Sequence, residues 1–152
     1  MPIPHDNSNI VSSWDVLNGQ EVTGDCVVIG GGLVGAETAE YLANKGHQVT
    51  IVEMMDKIAA GESTTVLPLM MKDFADHNVK QLVNTKVDHI ENNIVYTAND
   101  QIKADTIINA LGSKKNIFDD SSITIPHVCV GDCSGERTAD IASAIRTAYK
   151  AA

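Results

Sequence analysis

The clearest order in the chain is a change of hydrophobic period between residues 26 and 53. Cys26-Val27-Val28-Ile29 is continuously apolar and runs into Gly30, the pattern of a strand buried on both faces. From residue 33 to 45 the period becomes helical. Ala36, Ala39, Leu42 and Ala43 fall on one stripe, Glu37, Glu40 and Asn44 lie off it, and Gly46 follows as a natural stop. Residues 48–53 (QVTIVE) then predict a second strand. Strand, glycine turn, helix and strand follow one another without a long connection.

The same patterning extends along the chain. Residues 64–78 predict a helix with Leu67, Leu69, Met70, Met71, Phe74 and Ala75 as its apolar set, and Pro68 fits only in its first turn. Residues 79–83 predict a third parallel strand. Residues 86–90, 93–97 and 101–104, separated by turns rich in Asn and Asp, predict a small antiparallel meander. Residues 105–112 form a further apolar strand closing on a glycine. Residues 128–132 predict another buried strand, and residues 138–150 a last helix with Ile141, Ile145, Ala148 and Tyr149 on one face. Asp140 near its start and Arg146 and Lys150 near its end complement its dipole. Near the N-terminus, residues 11–17 before Asn18-Gly19 predict one short helix or turn. The fold class is α/β: a Rossmann-like parallel sheet with helices on both faces and a small antiparallel β-meander.

Composition narrows the possible functions. Hydrophobic residues at 43% and charged residues at 20% suit an ordered domain, and aromatics at 4% leave the core to Val, Ile, Leu and Ala. The net charge of −9, without any basic stripe, argues against nucleic acid as a partner. No apolar run approaches the ~20 residues of a membrane helix, and residues 1–6 carry no signal-peptide core, so a cytoplasmic protein is expected. The three cysteines are Cys26, Cys129 and Cys133. The last two are spaced C-x-x-x-C rather than C-x-x-C, so the thiols read as structural and no redox-active disulfide is visible. The five histidines do not pair at metal-ligand spacing, and no nucleophile motif is present.

Gly30-Gly31-Gly32-Leu33-Val34-Gly35 matches G-x-G-x-x-G in the context that gives the pattern meaning: it follows a buried strand, opens a helix, and has Glu53 at the end of the next strand. Gly30 permits the sharp turn, Gly32 lets a pyrophosphate approach the backbone, and Gly35 lets helix and strand pack closely. The N–H groups of Leu33, Val34 and Gly35 at the helix start attract the diphosphate. Glu53 can accept hydrogen bonds from the adenosine ribose hydroxyls, and its charge would repel a 2′-phosphate. The expected ligand is therefore NAD(H), with NADP(H) disfavoured and Lys57 the residue that would temper that preference. Glu37, on the first turns of the helix, is a candidate to reach a nicotinamide; an exposed helix carboxylate fits its spacing equally well.

With these segments in place the chain resembles the NAD(P)-binding region of the FAD/NAD(P)-dependent pyridine nucleotide oxidoreductases. The likeness points to the C-terminal part of the old yellow enzyme-type NADH:flavin oxidoreductase and 2,4-dienoyl-CoA reductase family. Residues 12–19 (SSWDVLNG), 27–53 (VVIGGGLVGAETAEYLANKGHQVTIVE), 105–116 (DTIINALGSKKN) and 127–152 (HVCVGDCSGERTADIASAIRTAYKAA) carry it. The resemblance implies an NAD-binding domain over 25–112 inserted in an FAD domain. Residues 1–24 would then be a leader left from that FAD domain, and 113–152 a connector, Gly-Asp strand and helix of the same half. It implies that Asp132, after Gly131, holds the flavin ribityl chain, that Ala110, Leu111 and Gly112 border the nucleotide cleft, and that Glu37 lies near the nicotinamide. The remaining FAD half and a catalytic barrel, with FMN and an iron–sulfur cluster as further cofactors, would belong to a longer parent, and the isolated chain is expected to be inactive. A non-catalytic NAD or ADP-binding module, regulatory or structural, is the alternative. The Gly-Asp strand argues against it, since a sensor has no use for a flavin-side element.

Overall fold

The computed structural model describes residues 1–112, 119–131, 134 and 141–152. The chain forms two units, Met1–Gly112 and Ser113–Ala152. The first holds a five-stranded parallel sheet in the order β1-β8-β2-β3-β4 and a separate three-stranded antiparallel sheet, β5-β6-β7. The parallel strands are β1 (Ile10–Ser12), β2 (Cys26–Ile29), β3 (Val49–Val52), β4 (Lys80–Leu82) and β8 (Thr106–Asn109). The meander is β5 (Val87–Glu91), β6 (Ile94–Thr97) and β7 (Gln101–Lys103). Three helices connect them: α1 (Ser13–Leu17), α2 (Leu33–Asn44) and α3 (Leu67–Asp76).

The β2–α2–β3 unit and the meander follow the predicted pattern. The inner strands β2, β3 and β8 bury side chains on both sides of the sheet, because successive side chains along each strand point to opposite faces. Cys26 and Val28 of β2, with Val49, Ile51 and Ile108, join Val16 of α1, Ala36, Ala39 and Leu42 of α2, and Met70 and Phe74 of α3 in one cluster. Val27, Ile29, Val52 and Ile107 join Val87, Ile90, Val95 and Ala104 in the other. Thus within Met1–Gly112 the helices share one face, and the meander covers the face where sequence patterning places further helices. A register shift between Val87 and His89 lets Val87 and Ile90, an odd spacing apart, share one side, and with Val95 they give the meander an apolar side that closes the second layer without a helix.

The leader is more than a short helix. Residues Ile10–Ser12 add β1 to the parallel sheet beside β8, and only then does α1 begin. Ser12 caps that helix by accepting from the Asp15 N–H at 3.1 Å. Upstream, the chain straps the meander. Asp6 N–H donates to the Ile90 carbonyl, Asn92 N–H to the Asp6 carboxylate, and Asn93 N–H to the Ser8 hydroxyl. Residues 1–24, expected as part of an adjoining domain, therefore contribute a strand, a helix and this strap to the first unit.

In the second unit, α4 (Ile141–Ala151) forms where a closing helix is predicted. Over its described residues the buried strand predicted at 128–132 is not formed: Val128–Val130 is not a strand, and Val128 is exposed. An apolar run becomes a strand only against a ladder partner, and the described residues of this unit contain no strand. Asp132, Cys133 and Asp140 lie outside the described residues. No helix among the described residues is long and apolar enough to cross a membrane.

Candidate functional site

The register of the parallel sheet brings the ends of its strands level. Ser12 and Ile29 both face Asn109, Val52 faces Ile29, and Leu82 faces Val52. From β2 the chain winds outward through β3 to β4, while β8 and β1 fill the other side. The order therefore reverses between β2 and β8, and ligands of open parallel sheets bind in the crevice at such a switch point. The segments that leave the sheet there are the glycine turn after β2 and Ala110-Leu111-Gly112 after β8.

The turn is tied to both neighbours. Gly30 N–H donates to the Val52 carbonyl at 2.9 Å, and Ala110 N–H donates to the Ile29 carbonyl at 2.9 Å. Gly30 has φ +100°, a left-handed backbone disfavoured for other residues, and a Cβ there would lie 2.6 Å from the Ala110 oxygen. A Cβ on Gly35 would sit 1.9 Å from the Gly30 oxygen, so this glycine is fixed by the approach of helix to strand. Gly32 differs: a Cβ there would meet nothing within 4 Å, and it stands as the N-cap of α2 with no side chain bonded across the helix end. The N–H groups of the first helical turn, over Leu33, Val34 and Gly35, have no intrahelical acceptor by position. Open space above an uncapped helix start, with no acidic residue in that turn, suits a bound diphosphate.

Glu53 follows β3 directly, at 9% exposure. Its Oε2 accepts from the Gly31 N–H at 2.6 Å and its Oε1 from the Met55 N–H at 2.7 Å. The carboxylate thus lies against the glycine turn itself. Glu37 is exposed on α2, as an exposed helix carboxylate would be. Ala110 is half-buried, Gly112 has φ +85°, and Leu111 and Leu33 present exposed apolar side chains. Lys57 is exposed. Gly131 belongs to the second unit, where it has φ +70° and donates its N–H to the Thr147 hydroxyl at 2.8 Å.

Three participants escaped sequence reasoning. Gly31 is buried, and Ile58 and Ala59 of the following loop pack on it, with Ala59 N–H donating to the Gly31 carbonyl at 2.7 Å. The run of three consecutive glycines was the one available signal. Among the remaining reactive groups, Cys26 is buried, and burial, then the nearby Asp25 and Asp105 carboxylates, push its thiol up to about 11. In the second unit His127 shares the Asp120 carboxylate through Nε2 at 2.8 Å and bonds the Ile125 carbonyl through Nδ1 at 2.9 Å. The Ile125 bond, then the Asp120 bond, raise the His127 pKa above its ordinary value. No group of His, Cys, Asp and Glu suited to a metal ion occurs among the described residues.

Residues 2–148 match the family model of the pyridine nucleotide-disulphide oxidoreductases. The bilirubin reductase of Mediterraneibacter gnavus is 44% identical over 158 aligned positions, covering 99% of this chain and 24% of that protein. The NADH oxidase of Thermoanaerobacter brockii is 54% identical over 57 residues, 36% of this chain and 9% of that protein. A solved complex of 2-naphthoyl-CoA reductase with 2-naphthoyl-CoA superposes with a TM-score of 0.80 at 28% identity, covering 99% of this chain and 24% of that one. The chain thus spans about a quarter of the length of the bilirubin reductase and of the 2-naphthoyl-CoA reductase.

Proposed function

The chain belongs to the pyridine nucleotide-disulphide oxidoreductase family, and from that premise we propose that it is the NADH-binding portion of a larger flavin-dependent oxidoreductase. The observation that carries the reading is the open Gly32 over the uncapped start of α2, set at the β2–β8 switch point. There the N–H groups of Leu33, Val34 and Gly35 would hold the pyrophosphate, Glu53 the adenosine ribose, and Ala110 and Gly112 the far wall of the cleft. When bound, the dinucleotide supplies the hydride; the protein's own part is to orient it. Glu37, exposed on α2, is assigned to the nicotinamide side.

Gly131 and Asp132 we assign to the flavin-binding half, with the rest of that half, FMN, an iron–sulfur cluster and the substrate site in the parent. We further assign the parent to the enoate or 2,4-dienoyl-CoA reductase type. In support, two proteins matched along the whole chain are by name reductases, and one of them is solved with an acyl thioester.

Isothermal titration of the 152-residue chain with NADH and NADPH tests the site. NADH is expected to bind more tightly, because a 2′-phosphate beside Glu53 meets like charge. Binding of neither nucleotide overturns the assignment, and equal affinities overturn the preference.

A further inference from the structure

The Glu53 carboxylate makes two backbone contacts that ribose recognition does not require. Its Oε2 takes the Gly31 N–H at 2.6 Å and its Oε1 the Met55 N–H at 2.7 Å. On the other side of the same residue, in the next peptide unit, Ala59 N–H donates to the Gly31 carbonyl at 2.7 Å. We propose that Glu53 is a positioning residue of the glycine turn: with Ala59 it clamps Gly31 from both sides and so sets where the diphosphate-binding N–H groups of Leu33, Val34 and Gly35 point. This proposal rests on the dinucleotide reading and deepens it.

Three features show that the clamp is built rather than incidental. The space beside Gly31 is already filled. A Cβ there would lie 2.5 Å from Ile58 Cδ1, 3.1 Å from Glu53 Cβ and 3.2 Å from Ile51 Cγ2, so a methyl would have to displace the end of the Ile58 side chain and press on Glu53 and Ile51. Ala59 holds φ +51° while buried, a left-handed backbone that an L-residue keeps only when its surroundings fix it, and its N–H is the group that reaches Gly31. Glu53 is itself held at the backbone, its N–H donating to the Leu82 carbonyl and its carbonyl accepting from the Thr85 N–H, each at 2.8 Å. The Met55 carbonyl in turn accepts from the Asn84 N–H at 2.8 Å. The carboxylate therefore sits on a braced loop and transmits that bracing to the turn.

The clamp and ribose recognition are compatible. A carboxylate offers about four acceptor positions, two on each oxygen. One on each oxygen serves a backbone N–H, and one on each remains for a ribose hydroxyl. Replacing Glu53 therefore removes two functions together: it frees the ribose hydroxyls and leaves the Gly31 and Met55 N–H groups without their acceptor. A Glu53 variant made to admit NADPH would loosen the diphosphate site as well.

The two functions separate with a nucleotide that has no ribose hydroxyls. Wild type, Glu53→Ala and Glu53→Gln are titrated with ADP and with 2′,3′-dideoxy-ADP, and amide hydrogen exchange is followed in the ligand-free chains. The clamp predicts that Glu53→Ala weakens both nucleotides, dideoxy-ADP by roughly tenfold. Exchange at Gly31 and Met55 should quicken by about the same factor, with Val28 and Ile108 in the sheet unchanged. Glu53→Gln keeps one carbonyl oxygen and turns an NH2 group toward the other N–H, so one of the two amides should quicken and dideoxy-ADP should lose less. If both variants weaken ADP alone, with dideoxy-ADP affinity and exchange at both amides at wild-type values, Glu53 is only a ribose ligand and the clamp is refuted. Should Glu53→Ala fail to fold, Glu53→Gln decides by the same readouts. If the wild type binds neither nucleotide, the dinucleotide reading falls, and the exchange rates alone judge the clamp.

Discussion

Helices α2 and α4 are nearly the same length, 12 and 11 residues, and the second has the larger apolar side chains on its face. Yet α2 buries Ala36, Thr38, Ala39, Leu42 and Ala43, whereas α4 buries nothing, with Ile145 at 64% and Tyr149 at 85% exposure. The difference lies in what each helix follows. α2 is the crossover of a βαβ unit, delivered by β2 onto the sheet whose next strand it precedes, and small residues on its inner stripe let it settle close. α4 closes a unit whose described residues contain no strand. An amphipathic sequence makes a helix able to bury a face; only a neighbouring layer does the burying.

Substitutions can break this comparison, and the largest effect is expected in the first unit's core. Phe74→Ala, at a fully buried side chain of α3, should lower the unfolding free energy by about 3–5 kcal/mol in urea titration. A loss under about 1 kcal/mol would mean that the helix layer is not packed as described. Next comes Gly35→Ala, which forces a methyl toward the Gly30 carbonyl and should cost about 2–4 kcal/mol. Gly32→Ala should cost less than about 1 kcal/mol in stability while weakening NADH by roughly tenfold, because its methyl enters the space assigned to the diphosphate. Reversal of that pair would exchange the structural and ligand-facing glycines.

The two described thiols sharpen the contrast chemically. Cys26 ionises at about 11 when folded against an ordinary 9.0, so the unfolded chain releases this proton first. Its contribution to stability is complete below pH 9 and declines as pH rises toward 11, by about 2–3 kcal/mol in all. Cys26→Ala should lack that part of the alkaline decline, seen as the difference between the two melting curves against pH. At pH 8, alkylation mapped by mass spectrometry should mark half-buried Cys129 well before Cys26. The smallest effect is expected for Ile145→Ala on α4, within about 0.5 kcal/mol of wild type in the isolated chain. A loss above 1 kcal/mol would show that the exposed face is packed in solution.

What was legible in the sequence was local. β2, α2 and β3 follow from period and punctuation within one short stretch, and the meander from its Asn-rich turns, where Asn92 and Asn93 do adopt positive φ. β1 was not legible, because three residues at the sheet edge leave no alternation to detect and their partner lies at residues 107–109. The apolar run at 128–130 misled for the complementary reason, since it has the composition of a strand while the described residues of its unit contain no strand. At the candidate site, spacing placed Glu53 at the strand end but could not fix its side-chain direction, which is what puts the carboxylate against Gly31. Ala59 gives no sign of its left-handed backbone in the residue type.

The strand order also bears on how the chain comes together during synthesis. β2, β3 and β4 pair in the order they are made, each with the next. β8 must reach back to Cys26 on one side and Ile10 on the other. On a ribosome delivering the N-terminal end first, the half-sheet β2-β3-β4 can assemble with α2 while the apolar edge of β2 still stands open. Thr106–Asn109 then arrives as the insert that joins this half-sheet to the waiting β1. The crevice beside Gly30 therefore lies on a seam that cannot close before β8 has been made.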